Sequence, residues 1–142
     1  MFEGDPGRRI IVASWASNAV FAASAAPVAL GAAGLELVAA GTALALFCAG
    51  VVVWVVAFLT AVARTARGDD IVVGSLFFLH GSTPRSVRRQ LFGSLLVSIA
   101  IVAATAWTAP FGVLVPMLPL GLMGLWSARH GRFPPRARRT DA

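Results

Sequence analysis

The sequence predicts an all-α polytopic membrane protein, with four transmembrane helices arranged as two hairpins and both termini cytoplasmic. Three observations carry this. The chain of 142 residues is 58% hydrophobic and 13% charged, with a mean hydropathy of +0.80; a soluble domain carries about 25% charge. Charge and histidine are missing altogether from 10–30, 37–63, 91–109 and 111–127. The 12 basic residues, all arginine, fall in regions separated by an even number of these stretches.

The first span, 10–30, follows Arg8 and Arg9. At 1.5 Å per residue it covers the roughly 30 Å of bilayer hydrocarbon. Its basic lead and the tripeptide Ala23-Ser24-Ala25 also resemble a signal peptide. The expectation is a retained helix, because small residues are common where membrane helices pack closely. Gly31 and Gly34 then punctuate a short external turn without arginine, ahead of the second span at 37–63. The lone Cys48 lies inside that span, so no intramolecular disulfide is possible.

A loop at 64–90 follows, carrying Arg64, Arg67, Arg85, Arg88 and Arg89. Its apolar run 71–79 is too short to cross a bilayer and too apolar to stand in water. It is expected to lie at the interface or against the bundle, with Asp69, Asp70 and His80 at its wet ends. Asp69 and Asp70 read as a solvated turn or as partners for Arg64 and Arg67. Ser82 or Thr83 is the expected N-cap of a helix that has Pro84 as its first residue and continues into the third span, 91–109. Arg85, Arg88 and Arg89 in its first turns suit contact with anionic lipid phosphates.

A turn at Pro110 and Gly112 leads to the fourth span, 111–127, whose 17 residues are at the short end of the spanning range. It is the least regular, because Pro116 and Pro119 remove backbone donors and Gly121 and Gly124 add flexibility. The tail, 128–142, holds Arg129, Arg132, Arg136, Arg138 and Arg139; the last three are further candidates for anionic lipid contact. The domain plan is thus an N-terminal segment 1–9, a transmembrane region 10–127 and a basic tail.

Since every arginine falls on the same side of four spans, that side is cytoplasmic by the positive-inside rule. A net charge of +6 and a pI near 11.7 would also suit nucleic acid. Topology already accounts for the charge, so no nucleic-acid partner is expected.

Within the spans, polar residues are the place to look for function. Ser14, Ser17, Asn18 and Ser24 share one helical face, and Ser94, Ser98 and Thr105 share another. Both read as packing faces, with a solute path as the alternative, and Asn18 is expected to face the interior or a partner. Trp15, Trp107 and Trp126 lie near span ends, as interfacial anchors do, and Trp54 lies deeper, where packing accounts for it. No metal site or cofactor is expected: His80 and His130 lie in different segments and no Cys accompanies either.

From about residue 51 to 135 the chain resembles the short four-span integral membrane proteins of high-GC actinobacteria. The phrases STPRSVRRQL, FGVLVPMLPLGLMGLW and SARHGRFPP carry the likeness. The resemblance implies the same architecture and brings no catalytic residue with it. Small multidrug transporters share the size and span number but depend on a glutamate embedded in the first helix. Here Glu36 lies at the end of the first external turn instead.

These features favour a non-enzymatic accessory, assembly or scaffold subunit that packs against itself or a larger membrane complex. A small transporter or channel for a neutral or lipidic solute, using the Pro116/Pro119 break, is the alternative. A lipid-headgroup enzyme using Asp69, Asp70, His80 and the nearby arginines is third.

Overall fold

A computed structural model describes residues 7–77, 79 and 83–135 of the chain. Those residues form helices α1 (Arg8–Ala29), α2 (Glu36–Ala66), α3 (Val73–Phe77), α4 (Arg85–Thr105) and α5 (Met117–His130), with a 3₁₀ segment, Pro110–Leu114, ahead of α5. No strand occurs among them; an isolated bridge pairs Asp69 with Pro135. Four segments are long and apolar enough to cross a membrane: α1, α2, α4, and the 3₁₀ segment together with α5. The multi-pass, all-helical expectation is met at that level.

α2 outruns its charge-free stretch at its arginine end. Its 31 residues extend about 46 Å, well beyond the hydrocarbon thickness. Arg64 therefore lies in its last turn, where a cation offsets the partial negative charge of the helix end. The turn between α1 and α2 places Gly31 at φ 91° and Gly34 at φ 84°. Side chains other than glycine rarely adopt this left-handed region.

Three boundaries depart from expectation. Pro84 is itself the N-cap of α4, with φ −56° and ψ 140°, and Arg85 is the first helical residue. Proline fixes φ but leaves ψ free, so the residue settles in the extended well while its carbonyl accepts from the Arg88 amide at 3.0 Å. α4 ends at Thr105 rather than at 109, and the amides of Thr108 and Ala109 close a turn onto the Thr105 carbonyl at 3.1 and 2.8 Å.

The fourth span is a 3₁₀ segment and then α5, not one helix over 111–127. In a continuous α-helix Pro116 and Pro119 would donate to the carbonyls of Gly112 and Val115, and neither has an N–H. Those carbonyls accept instead from Val115 and Leu118, both at 3.0 Å, the tighter i to i+3 pattern. Pro116 becomes the N-cap of α5, and Pro119 falls in its first turn, where no intrahelical donor is needed.

α5 is the centre of the bundle. It buries most of its surface, whereas α1, α2 and α4 each bury a third or less. α2 packs along it most extensively, and α1 and α4 pack on each other and on α5. The buried line of α2 is Ala39, Ala43, Gly50, Ala57 and Ala61, all small and spaced by four or seven, so the two backbones approach closely. A Cβ on Gly50 would stand 3.1 Å from the Leu118 nitrogen.

Gly121 and Gly124, expected to loosen α5, instead form notches for large side chains. A Cβ on Gly121 would lie 2.8 Å from Trp54 Cδ1, and one on Gly124 would collide with the ring of Phe77. Phe77 belongs to α3 and stacks on Trp54 with ring centroids 4.2 Å apart. The apolar run after Asp70 is thereby seated against the bundle, with Leu76 and Leu79 buried.

Candidate functional site

Two groups of side chains stand out, one inside the bundle and one at its arginine-bearing end.

The interior group joins α1 to α4. Asn18 Nδ2 donates to the Ser94 carbonyl at 2.7 Å and to Ser94 Oγ at 3.0 Å. The hydroxyls of Ser14 and Ser94 share a 2.6 Å hydrogen bond. Ser17, buried alongside, bonds within its own helix to the Ser14 carbonyl. Ser98 is one turn further along α4 and fully buried. Asn18 Oδ1 and Ser98 Oγ have no hydrogen-bond partner among the described residues. The two polar faces expected from spacing therefore meet, and Asn18 faces inward. Ser24 and Thr105 stand apart from the cluster, each bonded to a carbonyl of its own helix.

The arginine-bearing end is built around Arg64. Its Nε donates to Asp69 Oδ2 at 2.8 Å, and its Nη1 donates to the carbonyls of Ala128 and Gly131 at 3.1 and 2.7 Å. The same guanidinium lies 5.0 Å from the centre of the Phe133 ring. One side chain from the last turn of α2 thus caps the C-terminal carbonyls of α5. The Asp70 amide donates to the Pro134 carbonyl at 2.9 Å, so residues after α5 run back beside the loop after α2. Asp69 has the role of arginine partner that the sequence suggests for it.

A groove of about 450 Å³ opens beside Arg64, between the ends of α2 and α5, with Arg67 and Arg129 on its edge. A second, of about 340 Å³, is formed by Arg85, Arg88, Arg89 and Phe92 at the start of α4. There Arg88 lies 5.8 Å from the Phe92 ring centre. At the opposite end of the bundle an apolar cavity of about 250 Å³ lies between the start of α2 and the 3₁₀ segment, with Glu36 among its lining residues.

Pro116 and Pro119, read from sequence as a break within a span, are packed at the junction where α5 begins. Val115 and Pro119 are fully buried, and Trp54 Nε1 donates to the Met117 carbonyl at 3.1 Å. The tryptophans divide differently from expectation. Trp107 is 95% exposed and Trp15 bonds Gln90 Oε1 at 3.0 Å, both consistent with span ends. Trp126, expected as an anchor, is buried against Gly7 and His130, because α5 is enclosed on every side at that level. His80, Ser82, Arg136, Arg138 and Arg139 lie outside the described residues. Among those that are described, no three His, Cys, Asp or Glu side chains converge on a metal position.

The capping of α5 by Arg64 and the Ala/Gly line of α2 are the parts that sequence reasoning passed over. The seven-residue spacing of Ala43, Gly50 and Ala57 is visible in the sequence. In a helix that is apolar on all sides, however, small residues stand out less than serines do. No protein-family model, curated protein or solved structure matches the chain.

Proposed function

We propose that this chain is a non-enzymatic accessory or assembly subunit of a membrane complex in a bacterial cytoplasmic membrane. Its helices form two hairpins and its termini face the cytoplasm. The anionic lipids of that leaflet meet the arginine-bearing end, and the exposed sides of α2 and α4 meet lipid or a partner's helices.

The observation that supports this reading over a solute path is the packing at the α5 junction. The junction between the 3₁₀ segment and α5 is filled by Val115, Pro119 and Trp54. Ser14 and Asn18 on α1 bond to Ser94 on α4. Meanwhile Val52, Val55, Phe58, Leu59 and Val62 leave a broad apolar face of α2 exposed, which is suited to a bilayer or to another membrane helix.

The test is native mass spectrometry of the protein extracted from its own membrane in a mild detergent. A second protein at fixed stoichiometry is the expected result. A self-assembled species that repeatedly carries one solute, and loses it when Pro116 and Pro119 are both replaced by Ala, would move the assignment to a transporter.

A further inference from the structure

The groove between the ends of α2 and α5 combines an apolar wall with unneutralised charge. Leu59, Ala63 and Thr60, whose hydroxyl bonds the Val56 carbonyl, form its wall toward the span, and Arg64, Arg67 and Arg129 form its rim. Asp69 is the carboxylate bonded to Arg64, and Arg64 is further held by the carbonyls at the end of α5. Arg67 and Arg129 are exposed, and no ion pair joins either to a carboxylate among the described residues.

The charge balance at the rim favours an anion. Each helix end contributes about half a negative charge. Three guanidiniums line the groove and no carboxylate does; Asp69 is bonded to Arg64 from outside it, Asp70 is exposed to solvent, and the two half-charges do not neutralise both Arg67 and Arg129. A single phosphodiester supplies one negative charge and two acceptor oxygens suited to guanidinium forks.

The apolar wall distinguishes the source of that phosphate. Arg64 and Arg67 directly follow the charge-free stretch 37–63, so the rim stands at headgroup depth if that stretch spans the bilayer. Leu59 and Val62 are exposed on the adjoining surface of α2, where an acyl chain would run. A soluble anion would gain nothing from this wall.

We infer that the groove binds the headgroup of one anionic membrane phospholipid, with its phosphate between Arg67 and Arg129 and an acyl chain along Leu59 and Ala63. This rests on the membrane assignment above and adds to it a discrete site, apart from the arginines at the start of α4. The groove at those arginines is lined by α4 alone, with Phe92 as its one apolar side chain, so it offers a phosphate no second helix to bridge to.

The test titrates phosphatidylglycerol and phosphatidylcholine against the detergent-solubilised protein and counts retained lipids by native mass spectrometry. The wild type is expected to retain one phosphatidylglycerol in preference to phosphatidylcholine. Arg67→Gln with Arg129→Gln is expected to weaken that retention about 25-fold, about fivefold for each basic residue near the surface. Arg85→Gln with Arg89→Gln is expected to leave it within about twofold, because it removes only diffuse attraction.

Equal losses from the two pairs, or no preference between the lipids, would overturn the site. Displacement of the lipid by millimolar inorganic phosphate would also overturn it, in favour of a soluble anion. Arg67→Lys with Arg129→Lys keeps the charge but not the fork, and is expected to recover part of the retention. Misfolding of the glutamine pair, read from its melting temperature, combined with no recovery in the lysine pair, would count against the site.

Extraction of the protein from its membrane by alkaline carbonate would remove the membrane assignment itself. A protein that stays in the washed membrane but retains no phosphatidylglycerol would remove only the lipid site.

Discussion

Asn18 is the most polar side chain within the spans, and its bonds run to a different helix. Both go to Ser94, one to the carbonyl and one to the hydroxyl. In a bilayer no water is at hand to replace them, yet hydrogen bonds between membrane helices average only about 0.6 kcal/mol, with about 1.7 as an upper figure. Asn18→Ala is therefore expected to lower stability by ~1–2 kcal/mol. Ser94→Ala should cost less, since the carbonyl that Asn18 also uses remains. A double-mutant cycle, followed by unfolding in mixed micelles, should show a coupling of about 0.5–1 kcal/mol. Zero coupling would mean that the Asn18 amide and the Ser94 hydroxyl do not bond in the membrane. The shared faces of Ser14, Ser17 and Asn18, and of Ser94 and Ser98, were legible from helical spacing. That one face lies against the other was not, because spacing within a helix carries no information on which helix adjoins it.

At the scale of elements, α5 shows how the same residues read differently once their position in the helix is known. Prolines inside a long apolar stretch look like a kink at mid-membrane. Set three residues apart next to a 3₁₀ segment, they instead mark where an α-helix begins, and the amides they lack are ones that no helix start requires. The glycines downstream act through size, since Gly121 and Gly124 admit Trp54 and Phe77. Gly121→Leu is expected to cost ~2–3 kcal/mol by forcing Trp54 aside, with a shift in tryptophan emission as α2 and α5 separate. Pro116→Ala and Pro119→Ala are each expected to stay within ~1 kcal/mol, because α5 loses no hydrogen bond and two carbonyls gain possible donors. Thermal unfolding of the three variants checks this ranking, and the reverse order would show that the prolines hold the junction rather than begin the helix. The existence of four helical segments long and apolar enough to span was legible from charge-free length alone. Their internal joints were not, because hydropathy is blind to which i to i−4 bond a proline deletes.

Across the whole molecule, the described arginines gather at one end. Gly7 lies against Trp126 and His130, Trp15 reaches Gln90, and Arg64 caps the end of α5, so the start of α1, the end of α2, the start of α4 and the end of α5 are neighbours. The far end has Glu36 as the one charged residue of its two connections. Such asymmetry counts against insertion in both orientations, because retaining the arginine-rich side in the cytoplasm is the dominant topological signal. Four single-site reporters follow, built on Cys48→Ser so that the native thiol does not contribute. Ala33→Cys and Trp107→Cys stand in the arginine-free connections, and both positions are exposed. Asp70→Cys stands beside the Arg64 hub and is exposed as well, and Pro134→Cys lies on the segment whose carbonyl accepts from the Asp70 amide. In intact cells a membrane-impermeant maleimide is expected to label the first two, and to label Asp70→Cys and Pro134→Cys only after the cells are opened. The inverse pattern would place the arginines outside and remove the cytoplasmic assignment of every basic segment at once. Labelling of all four in intact cells, each at about half yield, would instead indicate a dual-topology protein. In that case self-association of antiparallel copies would replace a separate partner as the arrangement to test.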